Sequence, residues 1–215
     1  MDIQDWLNVI YPEVTPDLDP RAPFIAHIKT RTPEHNPPLF WLGCALDEIS
    51  ETNEMDIFIE KARKAIGDLS DFSWANEQAC LDVFSQACAF AWASKNLSKP
   101  QFIEESNGDY SCIFVPDYDA TIVPKRIRHV RHFEDVVSDI SDFVNDVQQL
   151  LPGDQNKIGY LDTYLNLDWY AQDLGYRLEL TEPLVSILKN FTGDQDLRFV
   201  LTRPFQWGNP VVSCY

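Results

Sequence analysis

The chain has 215 residues and carries 34 acidic against 17 basic side chains, a formal net charge of −17. This length is enough for one sizeable core, and a hydrophobic content of 45% argues against intrinsic disorder. A surface this acidic repels nucleic acid and anionic membranes, so we expect the chain to bind neither directly.

The first part of the chain predicts a short helix followed by a long proline-rich segment. Residues 2–11 place their apolar side chains on one helical stripe. Seven prolines between Pro12 and Pro38 predict an extended segment over 12–38. The apolar run Leu39–Leu46 is buried, but its pattern leaves open whether it is a helix or a strand.

Three longer helices are predicted with clear periodicity. Residues 54–67 and 133–151 each carry apolar side chains at steps of three and four. Residues 74–96 are apolar on nearly every side, which is typical of a helix in the middle of a core.

The central part of the chain predicts β structure. Asn107-Gly108 is a hairpin dipeptide, and residues 109–115 are rich in residues that favour strands. Residues 120–123 are the expected neighbouring strand.

The last third predicts further alternation of helices and strands. We expect an aromatic helix over 158–173, a strand over 176–180 and a short helix over 181–191. A final strand over 197–201 precedes the tail 204–215, which has no charged side chain.

These elements predict the α+β class. We expect a helix-rich single domain over 1–215, with a small, mostly antiparallel sheet packed against the central apolar helix 74–96. The sequence has no internal repeat and no linker that would divide it.

The five cysteines indicate a reducing environment. Their number is odd and no Cys-x-x-Cys spacing occurs, which argues against a disulfide framework and against a zinc site. The first residues have no basic region followed by an apolar stretch, so we expect no secretory signal and a cytoplasmic location.

Common catalytic motifs do not occur. The sequence has no Gly-x-Ser-x-Gly elbow, no Gly-x-Gly-x-x-Gly fingerprint and no P-loop. We therefore predict no cofactor and no bound metal, and a binding protein is favoured over an enzyme.

A basic run interrupts the acidic chain at residues 125–132. Its cations Arg126, Arg128 and Arg131 are candidate binding residues for an anionic group. The alternative is that these arginines pair with carboxylates of the same chain, whose acids outnumber its bases two to one.

The region 109–134 also supports an alternative hypothesis, a metal-dependent hydrolase or nuclease-like enzyme. Asp117 and Asp119 follow a predicted strand, and His132 lies further along the chain. Carboxylates and imidazoles are common ligands of catalytic metals. Paired aspartates in a turn are, however, more often turn formers that bond their own backbone.

The strongest functional signal is a row of acids on the predicted helix 133–151. Asp135, Asp139, Asp142 and Asp146 recur at steps of three and four, so they share one helical face. We therefore predict an acidic binding protein, such as an immunity protein, an antitoxin, an anti-defence inhibitor or an accessory subunit, that engages a basic protein partner. A third hypothesis is a homo-oligomeric structural protein, in which the tail 204–215 and the segment 12–38 pack against a second copy.

Overall fold

The computed structural model describes residues 1–14, 37–66, 74–103, 112–127, 133–150, 156–163, 185–186, 188–189, 197–204 and 210–214. These residues belong to two compact units, Met1–Ser94 and Lys95–Tyr215. No helix in these ranges is both long enough and apolar enough to cross a lipid bilayer.

The described part of the first unit is helical. Its helices are α1 (Ile3–Ile10), α2 (Pro37–Ser50), α3 (Met55–Ala65) and α4 (Trp74–Asn96). The predicted helices therefore lie within two residues of the observed bounds, and the ambiguous run 39–46 is part of α2.

Prolines 37 and 38 begin α2, so the predicted extended segment 12–38 gives way to helix at its last two residues. Proline is tolerated in the first helical turn, because the N–H that it lacks would have no intrahelical acceptor there. Residues 15–36 of that segment lie outside the described part of the chain.

Helix α1 is fixed at both ends by side-chain hydrogen bonds. The carboxylate of Asp2 accepts a bond from the Asp5 amide at 2.8 Å and caps the first turn. At the other end, the Arg63 guanidinium donates to the carbonyls of Ile10 and Val9, at 2.7 and 3.1 Å. Arg63 thus satisfies carbonyls that the helix itself leaves without a partner.

The carboxylate of Asp47 joins α2 to α1. It accepts a hydrogen bond at 2.9 Å from the Met1 ammonium and another at 2.8 Å from the Trp6 indole nitrogen. Partial burial acts to raise the pKa of Asp47, but these two hydrogen bonds and the ammonium charge outweigh it and lower the pKa below its ordinary value.

The centre of the first unit is α4, as the sequence predicts. Every residue from Ala87 to Ala93 is buried, so this stretch of the helix is surrounded on all sides. Tyr11 is buried in the same unit and donates its hydroxyl proton to the carbonyl of Ala62 at 3.0 Å. Burial, followed by the nearby Cys80 thiol, raises the pKa of Tyr11 well above its ordinary value.

The second unit contains a sheet whose described strands number six and lie in chain order. They are β1 (Gln101–Phe102), β2 (Ile113–Val115), β3 (Ala120–Arg126), β4 (Asn156–Asp162), β5 (Leu197–Pro204) and β6 (Pro210–Cys214). Among these strands, β3 pairs in parallel with β4 and β4 with β5, whereas the three outer pairings are antiparallel. The sheet is therefore mixed, with a parallel centre.

Helix α5 (Phe133–Leu150) follows β3 and precedes β4. Its buried side chains Ile140, Phe143, Val144 and Val147 form one core with apolar residues of β3, β4 and β5. A strand, a helix and a parallel strand in this order make a βαβ unit, in which the helix covers one face of the sheet.

The predicted helix over 158–173 is wrong at its start, because residues 156–162 form β4. This strand is central in the sheet, and Ile158 to Asp162 are all buried. Its residue order lacks the alternation of a half-exposed strand, so the apolar run resembles a buried helix in sequence. Residues 164–173 lie outside the description.

The predicted final strand is also too short, and it is not the last. Strand β5 extends to Pro204, and β6 follows it within the predicted uncharged tail 204–215. The tail pairs antiparallel with β5 of its own chain, from Cys214 opposite Val200 to Pro210 opposite Pro204. The predicted strand 176–180 lies outside the described residues, and residues 185–186 and 188–189 of the predicted helix 181–191 are helical.

The helix-rich α+β class, with a sheet in which most described pairings are antiparallel, is confirmed. The grouping of residues 1–215 into a single domain stays a prediction.

Candidate functional site

The carboxyl ends of the three parallel strands carry a group of buried polar side chains. Arg126 is the last residue of β3 and is 2% exposed, and Asp162 is the last residue of β4 and is 1% exposed. The two residues are partners in the β3–β4 register. Opposite charges at neighbouring register positions lower the free-energy cost of burying each other.

Side-chain hydrogen bonds connect β4 and β5 next to Arg126 and Asp162. The Thr202 hydroxyl donates to the phenol oxygen of Tyr160 at 2.7 Å. The amide and the hydroxyl of Thr163 both donate to the carbonyl of Thr202, at 3.0 and 2.8 Å. All three residues are buried, and their hydroxyl groups take part in hydrogen bonds within the protein.

We call Arg126, Tyr160, Asp162, Thr163 and Thr202 the buried polar cluster. Open sheets with parallel strands bind their ligands at the carboxyl ends of those strands, where these residues lie. Chemically, the buried polar cluster supplies a guanidinium, a carboxylate and three hydroxyls, all removed from bulk water. Such groups hold the strand ends in register and present fixed dipoles at this edge of the sheet.

Sequence reasoning missed most of the buried polar cluster. The sequence leaves Arg126 either as a binding residue for an anionic group or as an arginine that pairs with carboxylates of its own chain, and its burial at the register position of Asp162 favours the second interpretation. The other four residues lie in or beside β4, most of which the sequence predicts as helix, or in β5 beyond its predicted end at residue 201. A signal was present: Asp162 and Thr163 directly follow the apolar run of β4, as polar residues at the end of a buried strand do.

Of the predicted basic candidates, only Arg126 can be placed. Arg128 and Arg131 lie outside the described residues, and so does His132 of the alternative hydrolase site. Their proposed roles stay predictions.

The predicted acidic residues lie on α5, as expected. Asp142 is exposed, and Asp139 and Asp146 are half-buried at the flanks of the same outer face. The opposite face of the helix, with Phe143 and Val147, is buried in the core. Asp135 lies in the first turn of α5, but its side chain is outside the description.

Asp117 and Asp119 take the roles of turn residues. The Ser98 hydroxyl donates a hydrogen bond to the Asp117 carboxylate. Asp119 adopts a left-handed conformation with φ of 44°, and its carbonyl accepts a bond from the Asn156 amide at 3.1 Å. Aspartate tolerates this conformation better than most residues.

Across the described ranges, no three His, Cys, Asp or Glu side chains come together in a group that would hold a metal ion. The hydrolase alternative therefore stays a prediction, and it depends on residues beyond those ranges.

Comparison with protein-family models, with curated proteins and with solved structures finds no match to this chain.

Proposed function

We propose that this protein is a cytoplasmic acidic binding protein that captures a basic partner protein through the outer face of α5. The observation that carries the proposal is the placement of Asp139, Asp142 and Asp146 on the side of the helix away from its core contacts. A folded helix holds these carboxylates at fixed spacing, so a partner meets a preformed anionic surface.

The composition of α5 supports a role beyond stability. The helix contains five acids and no lysine, arginine or histidine. Like charges at spacings of three and four, such as Asp139 with Asp142 and Asp142 with Asp146, destabilise a helix by about 0.2 to 0.5 kcal/mol per pair. A helix selected for stability alone would carry lysines among these acids, so the arrangement favours a cationic partner.

The cysteines support the proposed location. Among the described residues Cys44, Cys80, Cys88 and Cys112 are all free thiols. Free thiols persist in the reducing cytoplasm, whereas oxidising compartments favour disulfides.

The test uses a triple variant, Asp139→Lys/Asp142→Lys/Asp146→Lys, as bait beside the natural protein in a pull-down from the native host. We expect a protein with a basic surface to be retained by the natural chain and lost by the triple variant. With the purified partner, association measured by surface plasmon resonance should be about tenfold slower or more for the variant, and should slow with added salt.

A matched control reverses three exposed acids of the first unit, Glu13→Lys/Glu51→Lys/Glu60→Lys, and changes the net charge by the same amount. The control should retain the partner. Equal loss in both variants would assign the effect to overall charge, and equal retention in both would exclude α5 as the binding face.

A further inference from the structure

Strand β6 is the last strand in the order of the described sheet, and its neighbour in that order is β5. The two strands pair antiparallel, with Val212 opposite Thr202. The carbonyl of Thr202 accepts hydrogen bonds from the amide and the hydroxyl of Thr163, which directly follows β4. This carbonyl therefore points toward β4 and away from β6.

The direction of the Thr202 carbonyl determines which backbone groups of β6 face outward. In an antiparallel ladder, residue pairs that exchange hydrogen bonds alternate with pairs that do not. Thr202 and Val212 form a pair of the second kind, so the N–H and C=O of Val212 point away from β5. By the same alternation the N–H and C=O of Cys214 point outward. Pro210, which has no N–H, also occupies an outward position, where a proline breaks no bond to β5.

The two ends of the sheet differ in their protection against pairing with a further strand. Natural sheets protect their edges with short strands, lysines and prolines. At one end, β1 has two residues and directly follows Lys99 and Pro100. At the other end, β6 has five residues without a charged side chain, and its proline is the first of them. The sequence of β6 therefore suits pairing with a further strand.

We infer that β6 pairs antiparallel with β6 of a second copy of this chain, about a two-fold axis. A two-fold interface must be self-complementary, and residues that direct both N–H and C=O outward meet this condition, because each copy donates to the other and accepts from it. Two chains of net charge −17 repel each other. The tail 204–215 has no charged side chain, so contact there has a low electrostatic cost.

This inference is independent of the proposed partner of α5, and salt separates the two interactions. Pairing between two anionic copies should strengthen with salt, because screening reduces their repulsion. Capture of a basic partner should weaken with salt for the opposite reason.

The test is sedimentation velocity over a wide range of protein concentration, with a reductant present to prevent disulfides between copies. We expect a monomer–dimer equilibrium that shifts toward dimer between about 0.01 and about 0.15 M sodium chloride. Val212→Pro removes an outward N–H from each copy but no bond to β5, and should weaken dimerisation about tenfold or more. The control Val9→Ala shortens an exposed valine of α1 and should dimerise as the natural chain does.

Amide hydrogen exchange of the natural chain tests the same edge without a substitution. The amides of Val212 and Cys214 should exchange more slowly as protein concentration rises. Those of Val211 and Ser213, which point toward β5, should be protected at every concentration. Protection of Val212 that does not depend on concentration would show that the chain itself covers this edge, and would overturn the inference. A monomer under all conditions, or equal dimerisation by Val212→Pro and the natural chain, would do so as well.

Discussion

At the scale of single residues, Gly159 shows how closely α5 packs on the sheet. A Cβ atom at this position would lie 2.7 Å from the Phe199 ring and 3.0 Å from the Phe143 ring. Phe199 belongs to β5 and Phe143 to α5, so both neighbours are held by the core. The position therefore has no room for a side chain.

Gly159→Ala should destabilise the protein by about 1 to 3 kcal/mol, because an added methyl group must displace two buried rings. Urea unfolding measures the change in the free energy of unfolding. The matched control is Gly43→Ala in α2, where the nearest atom to a new Cβ would be 3.6 Å away. Alanine there should stabilise the helix by up to about 1 kcal/mol. Equal effects of the two substitutions would contradict this account of Gly159.

Among the elements, β4 and β5 are joined by side chains as well as by their ladder. The bond from the Thr202 hydroxyl to Tyr160 crosses between these strands in a buried environment. Removing one partner leaves the other without this bond in a buried environment, whereas removing both leaves neither hydroxyl behind.

Tyr160→Phe and Thr202→Val should each cost about 1 to 2 kcal/mol of stability. The double variant should lose about 1 kcal/mol less stability than the sum of the two single variants. Each single variant already removes the same hydrogen bond, so its loss is not counted twice in the double variant. Tyr118→Phe is the exposed control and should change the free energy of unfolding by less than about 0.5 kcal/mol. Strict additivity in thermal or urea unfolding would show that the bond contributes nothing.

The helices could be predicted from sequence because their apolar residues recur at steps of three and four. Helix α4 is observed over the predicted range 74–96, and α5 ends one residue before the predicted 151. In contrast, β4 could not be recognised, because a strand buried on both faces has no alternation to distinguish it from a core helix.

The same ambiguity concealed the candidate site. The buried polar cluster exists only because β3, β4 and β5 end side by side, and that arrangement depends on two parallel pairings. Strands that pair in parallel are far apart in the chain, so the sequence pattern within one strand does not reveal which strand it pairs with. The acidic face of α5 was predictable, because its residues lie within one helix.

For the whole molecule, the dominant property is the net charge of −17. Self-repulsion of this size opposes the compact state, and it is strongest when little salt is present. The Debye length falls from about 30 Å at 0.01 M salt to about 8 Å at 0.15 M, so moderate salt screens most of the repulsion between distant carboxylates.

The melting temperature should therefore rise when sodium chloride is increased from about 0.01 to about 0.15 M, as followed by circular dichroism. The double variant Asp139→Asn/Asp142→Asn reduces the magnitude of the net charge from −17 to −15, so its melting temperature should rise less with salt. A melting temperature that falls with salt would mean that attractive pairs, not repulsion, dominate the electrostatic free energy.

In the second unit, parallel pairing of β3 with β4 requires closure of a long loop, which costs conformational entropy. Strands β2 and β3 are joined by residues 116–119, and their hairpin closes a short loop. Strand β4 is separated from β3 along the chain by residues 127–155, which include α5. Closing that longer loop removes more chain entropy before any ladder bond is gained. Chain entropy thus favours formation of the β2–β3 hairpin before β3 pairs with β4. The strand ends that carry Arg126 and Asp162 therefore come together later in folding.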